Sequence, residues 1–467
     1  MRIRRVLATF VATVSIIALS ACGANGGQGE GQTDTKADKG LKTLGVNVKY
    51  DPNHLVNKGK PIQLEYWSWV DKEQDPISAM TRDYQKIHPN VTFKIVNVAW
   101  ADYWTKVPLA LKGKNGPALF AVHNSQDALL KPYMAPIDIP ADQLKADYTG
   151  VPAHLEDGKA YYIDTVINTG NIYYNKKLWK EANLTDSDIP KTWDQLVTVA
   201  QKLTKWDGSK MVQSGFNLNG DEASAGYPGL WQGLNYQKGE LMFDSSGTKP
   251  NYKNETTKEN MQFIKDLYDK YKVASTAFGV DMGQSFGNGQ TAMVYQWGGF
   301  AGTLKLKYPD IDYGVFATPT FSEQTPFAYD RYNGESTPGV NKNQSKDQQE
   351  AAQDFLKYIL ANDKFIKDDA KAFNSFPAKK SLQNDPEILS MPIMAAIKPR
   401  IDRLIWPGPT PSTMESSAKK SFQDVFQNHK SIDSALDSTQ ALMEKDIKGT
   451  GFKSLEPAYA FYKEARR

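Results

Sequence analysis

The sequence predicts an α/β fold built as two lobes. Two observations lead there. From Lys60 onward, apolar runs of strand length alternate with stretches of helical periodicity. About 407 residues follow that point, more than one hydrophobic core of roughly 250–300 residues takes up.

The first unit reads βαβαβ. Gln63 to Trp67 is a strand closed by Trp67-Ser68-Trp69, and a helix runs from about Pro76 to Ile87. His88-Pro89-Asn90 stops that helix, because proline cannot continue one. Val91 to Val98 is the second strand, Ala101 to Leu111 the second helix, and Ala118 to Val122 a short third strand after Gly116-Pro117. Such a run calls for a parallel sheet with right-handed crossovers. A second unit starts near Val166, with a short strand from Asn171 to Tyr174. Thr192 and Gln195 form a capping box, in which each side chain satisfies a free backbone N–H of the other. The helix behind it carries Leu196, Val199, Ala200 and Leu203 on one face, and Met211 to Leu218 reads as a further strand. Three later stripes have helical spacing: Ile264, Leu267, Tyr268 and Tyr271; Ala352, Phe355, Leu356 and Ile359; Ala418, Phe422, Val425 and Phe426. Core packing accounts for all of them.

The chain opens with Arg2, Arg4 and Arg5, an apolar run from Val6 to Leu19, and Leu19-Ser20-Ala21-Cys22. The run is too short to span a bilayer and has the layout of a secretory signal peptide. Its end resembles a bacterial lipobox, which implies removal of residues 1–21 and a thioether-linked lipid on Cys22. Cys22 is the one cysteine of 467 residues, so the chain forms no internal disulfide. Five of the ten residues from Gly23 to Gln32 are glycine, and polar residues continue to about Lys60. This composition predicts a flexible tether over 22–59, with an end-to-end distance of roughly 30–35 Å. Several acyl chains would hold such a domain on the extracytoplasmic face of a membrane, and the long tether points to a Gram-positive cell surface.

Charge and motifs exclude several function classes. The net charge of +3 comes from the three arginines of the leader, which leaves 53 basic and 53 acidic residues. No basic patch argues for nucleic acid. His54, His88, His123, His154 and His429 are scattered, with no i, i+4 pair for a helical zinc site, and no metal or cofactor is expected. No phosphate-binding glycine loop occurs. Gly334-Glu335-Ser336 begins like a nucleophile elbow, but Pro338 stands where the second glycine belongs. A pair of glycosidase carboxylates is spatial and leaves no such trace. The supply of flat surfaces is large: ten tryptophans, with aromatics at 11%.

Several segments carry a family pattern. Gly158-Lys159-Ala160-Tyr161-Tyr162 precedes Ile172-Tyr173-Tyr174-Asn175-Lys176-Lys177-Leu178, followed by Ile189-Pro190-Lys191-Thr192-Trp193-Asp194. Later come Phe286-Gly287-Asn288-Gly289-Gln290-Thr291-Ala292-Met293 and Gln349-Glu350-Ala351-Ala352-Gln353-Asp354-Phe355-Leu356. In this order the chain resembles the extracellular solute-binding proteins of family 1, the maltose-binding-protein-like group, over nearly all of residues 62–445. The resemblance implies a two-lobe periplasmic-binding-protein-like fold of type II, with the ligand in a cleft between lobes and closure by a hinge. It implies an N-lobe of 60–165 plus 325–365 and a C-lobe of 166–324 plus 366–467. It also implies a monomeric, non-catalytic receptor that passes a carbohydrate to ABC transporter permease subunits.

Ligands of open α/β sheets sit beyond the carboxyl ends of the strands, and the resemblance places site residues in the same loops. Ser68, Trp69 and Asp71 follow the first strand; Trp69 offers an indole face to a pyranose, and Asp71 accepts sugar hydroxyls. A core role for Trp69 and a helix-start charge for Asp71 are the bland alternatives. His123 and Asn124 follow the third strand, and for His123 a loop histidine with satisfied hydrogen bonds is equally consistent. Asp164 and Asn168 flank the first hinge crossing, Asp164 being equally consistent with a structural hinge contact. Asp221, Tyr227 and Trp231 follow the Met211–Leu218 segment. Trp297 and Gly298 come after the Thr291-Ala292-Met293 element, with the tryptophan two residues earlier than the family has it. Glu335 departs from the small residues usual there. Arg400, Arg403 and Trp406 are further candidates, the arginines more simply surface ion pairs. The many rings suggest an oligosaccharide, one ring per subsite. Two other readings stay open: a peptide or cationic solute in the same fold, and a secreted glycoside hydrolase.

Overall fold

The computed structural model describes residues 40–123, 126–220, 226–408 and 412–458. The first sheet is built on Ile62–Ser68, which pairs in parallel with Val91–Asn97 on one side and with Leu119–Phe120 on the other. The helices Pro76–Ile87 and Trp100–Leu111 connect these strands. Asp75 starts the first of them: its carboxylate accepts the Ile77 N–H, and Pro76 sits where no N–H is needed. The sheet is not purely parallel. Gly339–Asn341 returns antiparallel to Leu119–Phe120 and to Met134–Ala135. The expected third strand keeps only two ladder residues.

The second sheet is antiparallel, with Asn171–Asn175 between Met293–Gln296 and Tyr313–Ala317. The Thr192–Gln195 capping box is present and opens the helix Trp193–Leu203. The expected strand from Met211 to Leu218 splits. Lys210–Gln213 pairs with Lys205–Asp207 as a hairpin, and Ser214 and Asn217 then make isolated parallel bridges to Thr291 and Val294. Tyr271 falls beyond the helix Glu255–Asp269 that carries its stripe.

A third, four-stranded sheet joins the two. Asp164–Thr169 runs antiparallel to Asp330–Ser336 and to Phe376–Pro377, and Leu404–Ile405 lies parallel to the start of Asp330–Ser336. The chain therefore leaves the first sheet through Asp164–Thr169 and enters Asn171–Asn175 of the second. It returns through Asp330–Ser336 to Gly339–Asn341, and crosses once more at Leu404–Ile405 before the helix Ser412–Phe426. Two apolar clusters match this path. One gathers Leu64, Tyr66, Leu119, Val340 and Phe355; the other gathers Leu196, Leu230, Ile264, Met293 and Phe422.

Packing crosses the boundaries expected from the sequence. The helix Asp363–Phe373 packs on Pro76–Ile87 and Lys346–Ala361, and Ile366, Phe376 and Trp406 join the first cluster. Residues just after 366 thus share the first cluster, as do Met282, Phe286, Phe300 and Leu304. Part of the stretch that composition assigns to a tether is folded. Leu44 and Tyr50 bridge each other, Val48, Tyr50 and Val56 are buried in the first cluster, and Asp147 accepts the Asn47 and Val48 N–H groups. These apolar residues follow no period, so pattern reading passed over them. Among the described residues no helix is long and apolar enough to cross a membrane.

The joining sheet is tight. A Cβ on Gly334 would lie 2.1 Å from Asp164 Cγ, a distance that forces one strand to move. Gly334→Ala is expected to cost about 1–3 kcal/mol, the usual range for overpacking. Urea unfolding of the full chain measures it, and a loss within error would mean that the joining sheet yields freely.

Candidate functional site

The three parallel strands of the first sheet bring aromatic residues to one place from their carboxyl ends. Trp69 follows Ile62–Ser68, Trp100 follows Val91–Asn97, and His123 follows Leu119–Phe120. Their rings meet: Trp69 lies 5.1 Å from Trp100 and 6.1 Å from His123, and Trp100 lies 5.2 Å from His123, all edge to face. Tyr103 and Trp104 complete the cluster at 5.0 and 5.3 Å from Trp69. Edge-to-face rings at such distances gain about 0.5–1.5 kcal/mol beyond their area. Trp100 remains 46% exposed, and Trp69 is half-buried. Burial pushes the His123 imidazole down to about 4, against the opposing pull of the Asp164 charge. His123 is therefore neutral at neutral pH.

Ser68 itself is buried, and its hydroxyl oxygen accepts the Val70 N–H at 3.1 Å, which shapes the loop that carries Trp69. Trp69 packs on the margin of the first apolar cluster without being enclosed by it. Asp71 is exposed; one carboxylate oxygen accepts the Glu73 N–H at 2.9 Å. It does not cap the following helix, a role that Asp75 takes.

At the hinge, Asp164 is fully buried. His154 Nε2 lies 2.9 Å from its Oδ2, and the Ser336 hydroxyl donates to its Oδ1 at 3.0 Å. Those bonds tie Asp164–Thr169 to its neighbours, so the structural reading of Asp164 is the one observed. Burial first, and the Asp164 charge second, push the Glu335 carboxyl up to about 7. Burial also raises Asp369, against a hydrogen bond from Thr165, with the Glu335 charge adding to the rise. Asn168 acts as a second tie: its Oδ1 accepts the Gly298 N–H at 2.9 Å. A Cβ on Gly298 would lie 2.1 Å from the Asn374 carbonyl oxygen, so only glycine fits this approach.

Trp297 precedes that glycine and packs against both apolar clusters. The Arg331 guanidinium lies 4.9 Å over its ring, and its buried Nε1 has no hydrogen-bond partner among the described residues. Trp297 borders a recess of about 620 Å³ that includes Asp281, Gln284 and Gln296. Tyr227 borders another, of about 570 Å³, with Asp281, Phe422 and Phe426. Tyr227 stacks on Phe426 at 4.6 Å and donates to Asn219.

Trp231 is a correction. It is 1% exposed, and its indole N–H donates to the Thr257 carbonyl at 2.8 Å, inside the second core. It falls in the helix Gly226–Gln237, which is buried over most of its length, so no polar face in the sequence tells its core side chains from its exposed ones. Arg400 and Arg403 both bind backbone carbonyls. Arg400 donates to the Thr318 carbonyl and lies over Tyr329, and Arg403 donates to the Pro326 and Phe327 carbonyls. Trp406 is buried against His154 at 4.1 Å. Cys22, Asn124 and Asp221 lie outside the described residues. Trp100, Tyr103 and Trp104 are members of the cluster that sequence reasoning missed. Three rings at i, i+3 and i+4 straight after a strand were the available signal.

Comparison with known proteins agrees with this architecture. The chain is 23% identical over 219 residues to the arabinooligosaccharide-binding protein of Bacillus subtilis, covering 45% of this chain and 48% of that protein. The chain thus spans about half the length of that relative. It is 24% identical over 340 residues to the diacetylchitobiose binding protein DasA of Streptomyces coelicolor, covering 69% and 74%. The cyclic alpha-maltosyl-1,6-maltose binding protein of Arthrobacter globiformis superposes with a TM-score of 0.67 at 19% identity, over 83% of this chain and 99% of that one. Residues 79–396 match the family described as bacterial extracellular solute-binding protein, a family of binding proteins, and the chain belongs to it.

Proposed function

We propose that this chain is the substrate-binding lipoprotein of an ABC importer, which captures an oligosaccharide between its lobes by hinge closure and delivers it to a membrane permease. The observation that carries the reading is the convergence of Trp69, Trp100 and His123 at the carboxyl ends of three parallel strands. Indole faces bind the C–H face of a pyranose, and partly exposed rings beside polar loops suit a neutral polyol. The relatives named for arabinooligosaccharides and diacetylchitobiose support the same class.

In this reading Trp69 and Trp100 stack on sugar rings, and Asp71 and Asn124 accept or donate to hydroxyls. Trp297, supported by Asn168 and Gly298, and Asp221 and Tyr227 serve from the second lobe. Glu335 sits at the hinge; protonated below about 7, its carboxyl both donates and accepts. The three chain crossings serve as the hinge. Lipid on Cys22 keeps a monomeric receptor at the extracytoplasmic face, on a Gram-positive surface. Turnover of the ligand is no part of this function.

Calorimetry of the full chain against a carbohydrate panel tests the reading: one oligosaccharide class binds and is recovered unchanged. Binding of a cationic solute or peptide alone, or release of a cleavage product, contradicts it. Trp69→Ala weakens the bound oligosaccharide about 10–100-fold, as loss of a buried aromatic anchor does. Trp231→Ala lowers stability and leaves affinity within about twofold, because that ring is core.

The hinge carboxyl gives a second check. The folded protein holds the Glu335 proton up to about 7, against the ordinary value of 4.5, so its contribution to stability falls as pH rises from about 4.5 through about 7. Glu335→Gln removes that loss. Urea unfolding is expected to show the variant gaining about 2–3 kcal/mol on the parent between pH 4 and pH 8. A constant difference across that range would contradict a raised carboxyl at the hinge.

A further inference from the structure

Three side chains that serve no purpose in sugar binding meet at the other end of the first lobe. His88 ends the helix Pro76–Ile87 and precedes the strand Val91–Asn97, whose far end leads to Trp100. Seven strand residues at about 3.3 Å each put it on the order of 20 Å from the aromatic cluster. Asp354 projects from the helix Lys346–Ala361, and His54 comes from the N-terminal segment packed on that helix. One ring nitrogen from each histidine and one Asp354 oxygen lie within 4.8 Å of one another. From His54 to His88 is 34 positions, and from His88 to Asp354 is 266, which is why no spacing motif shows them.

The hydrogen bonds around the cluster orient it. His54 Nδ1 lies 2.5 Å from the Asp51 carbonyl oxygen. A carbonyl only accepts, so Nδ1 carries a proton. Nε2, unprotonated in the neutral ring, lies 2.5 Å from Asp354 Oδ2. Two acceptors at this distance need an electropositive centre between them, either a second ring proton or a metal ion. Asp354 Oδ1 is already engaged: the Tyr50 and Tyr84 hydroxyls donate to it at 2.8 and 2.5 Å. Those phenols hold the carboxylate with Oδ2 turned to the histidines. The Tyr50 proton goes to Asp354, so His88 Nε2 donates to the Tyr50 oxygen at 2.6 Å and must release that proton to bind a metal; its ring is 5.2 Å from that of His54. A backbone carbonyl on the outer nitrogen of one imidazole, and hydroxyls on the spare carboxylate oxygen, are the supports that metal-ligating histidine and aspartate carry.

We propose that His54, His88 and Asp354 form a site for one divalent transition-metal ion of the zinc class, which fastens the N-terminal segment to the first lobe. Two imidazoles and one carboxylate suit zinc rather than magnesium or calcium, which take oxygen ligands. Three protein ligands leave a fourth position for water. Ligands of a tetrahedral ion at bond lengths near 2.0–2.1 Å stand roughly 3.3 Å apart, so His54 must draw back from Asp354 by about 1 Å on loading. Its side chain is 37% exposed and has room to do so. The segment so fastened carries Val48, Tyr50 and Val56 into the first apolar cluster, and the ion would add to that packing.

The test uses the full chain without a histidine tag, stripped with a chelator and titrated with Zn²⁺ alone, against a chromophoric chelator as competitor. One ion per chain is expected, with a raised melting temperature. His54→Gln, a change at the lobe surface, should abolish both the binding and the Zn²⁺-induced shift. Tyr84→Phe keeps all three ligands and should weaken zinc about 10–100-fold, as loss of an outer support does. Co²⁺ in the parent chain should give the intense visible absorption of a four- or five-coordinate ion with nitrogen ligands, a readout that holds even if a variant misfolds. The proposal is overturned if the parent binds no zinc, if His54→Gln binds it equally, or if Co²⁺ shows only the weak spectrum of the hydrated ion. The sugar-induced shift in melting temperature is read separately, so failure of either reading is visible without the other.

Discussion

The buried Asp164 carboxylate is the contact on which the two-lobe arrangement depends. It sits on the first chain crossing, is hydrogen-bonded to His154 and to Ser336 on the second crossing, and lies against Gly334, whose missing Cβ makes room for it. A buried carboxylate without such partners would cost several kcal/mol, so each partner is held as firmly as the charge itself. The effect spreads outward. The Asp164 charge reaches His123 on the first lobe and Glu335 on the second crossing. Asn168, four residues along the same strand, grips Gly298 beside Trp297. One hinge strand therefore sets the positions of residues from both sides of the joining sheet.

This arrangement explains why the aromatic cluster can stay open to a ligand. Trp69, Trp100 and Trp104 pack against one another and hold their places without the sheet burying them. A ring that is already fixed loses little entropy when a sugar stacks on it, which is the advantage of rigid aromatic surfaces in recognition. Tyr103 anchors the group from below, with its hydroxyl donating to the Ala121 carbonyl at 2.9 Å.

Much of this was legible in the sequence. The helix Pro76–Ile87 and the capping box at Thr192 are local signals, and both appear where the pattern puts them. Trp69, His123 and Trp297 could be named as candidates because they follow strands or a family element. What was illegible depends on distance in the chain. Trp231 reads like a loop aromatic until the helix Glu255–Asp269 supplies the Thr257 carbonyl that takes its N–H. Val48 and Tyr50 look like tether residues until Asp147 and the first core meet them. Asp363–Phe373 joins the first lobe through the helix Pro76–Ile87, far back in the chain, as well as through its neighbour Lys346–Ala361. No local pattern encodes those pairings, because burial is decided by the partner and not by the segment.

Two lobes closing on a carbohydrate about the three crossings is the central proposal. Small-angle X-ray scattering of the full chain, with and without a saturating concentration of the oligosaccharide that binds best, measures this directly. Closure predicts a smaller radius of gyration and a shorter maximum dimension in the bound state, with no change on adding a sugar that does not bind. An identical scattering curve with the site saturated would contradict hinge closure.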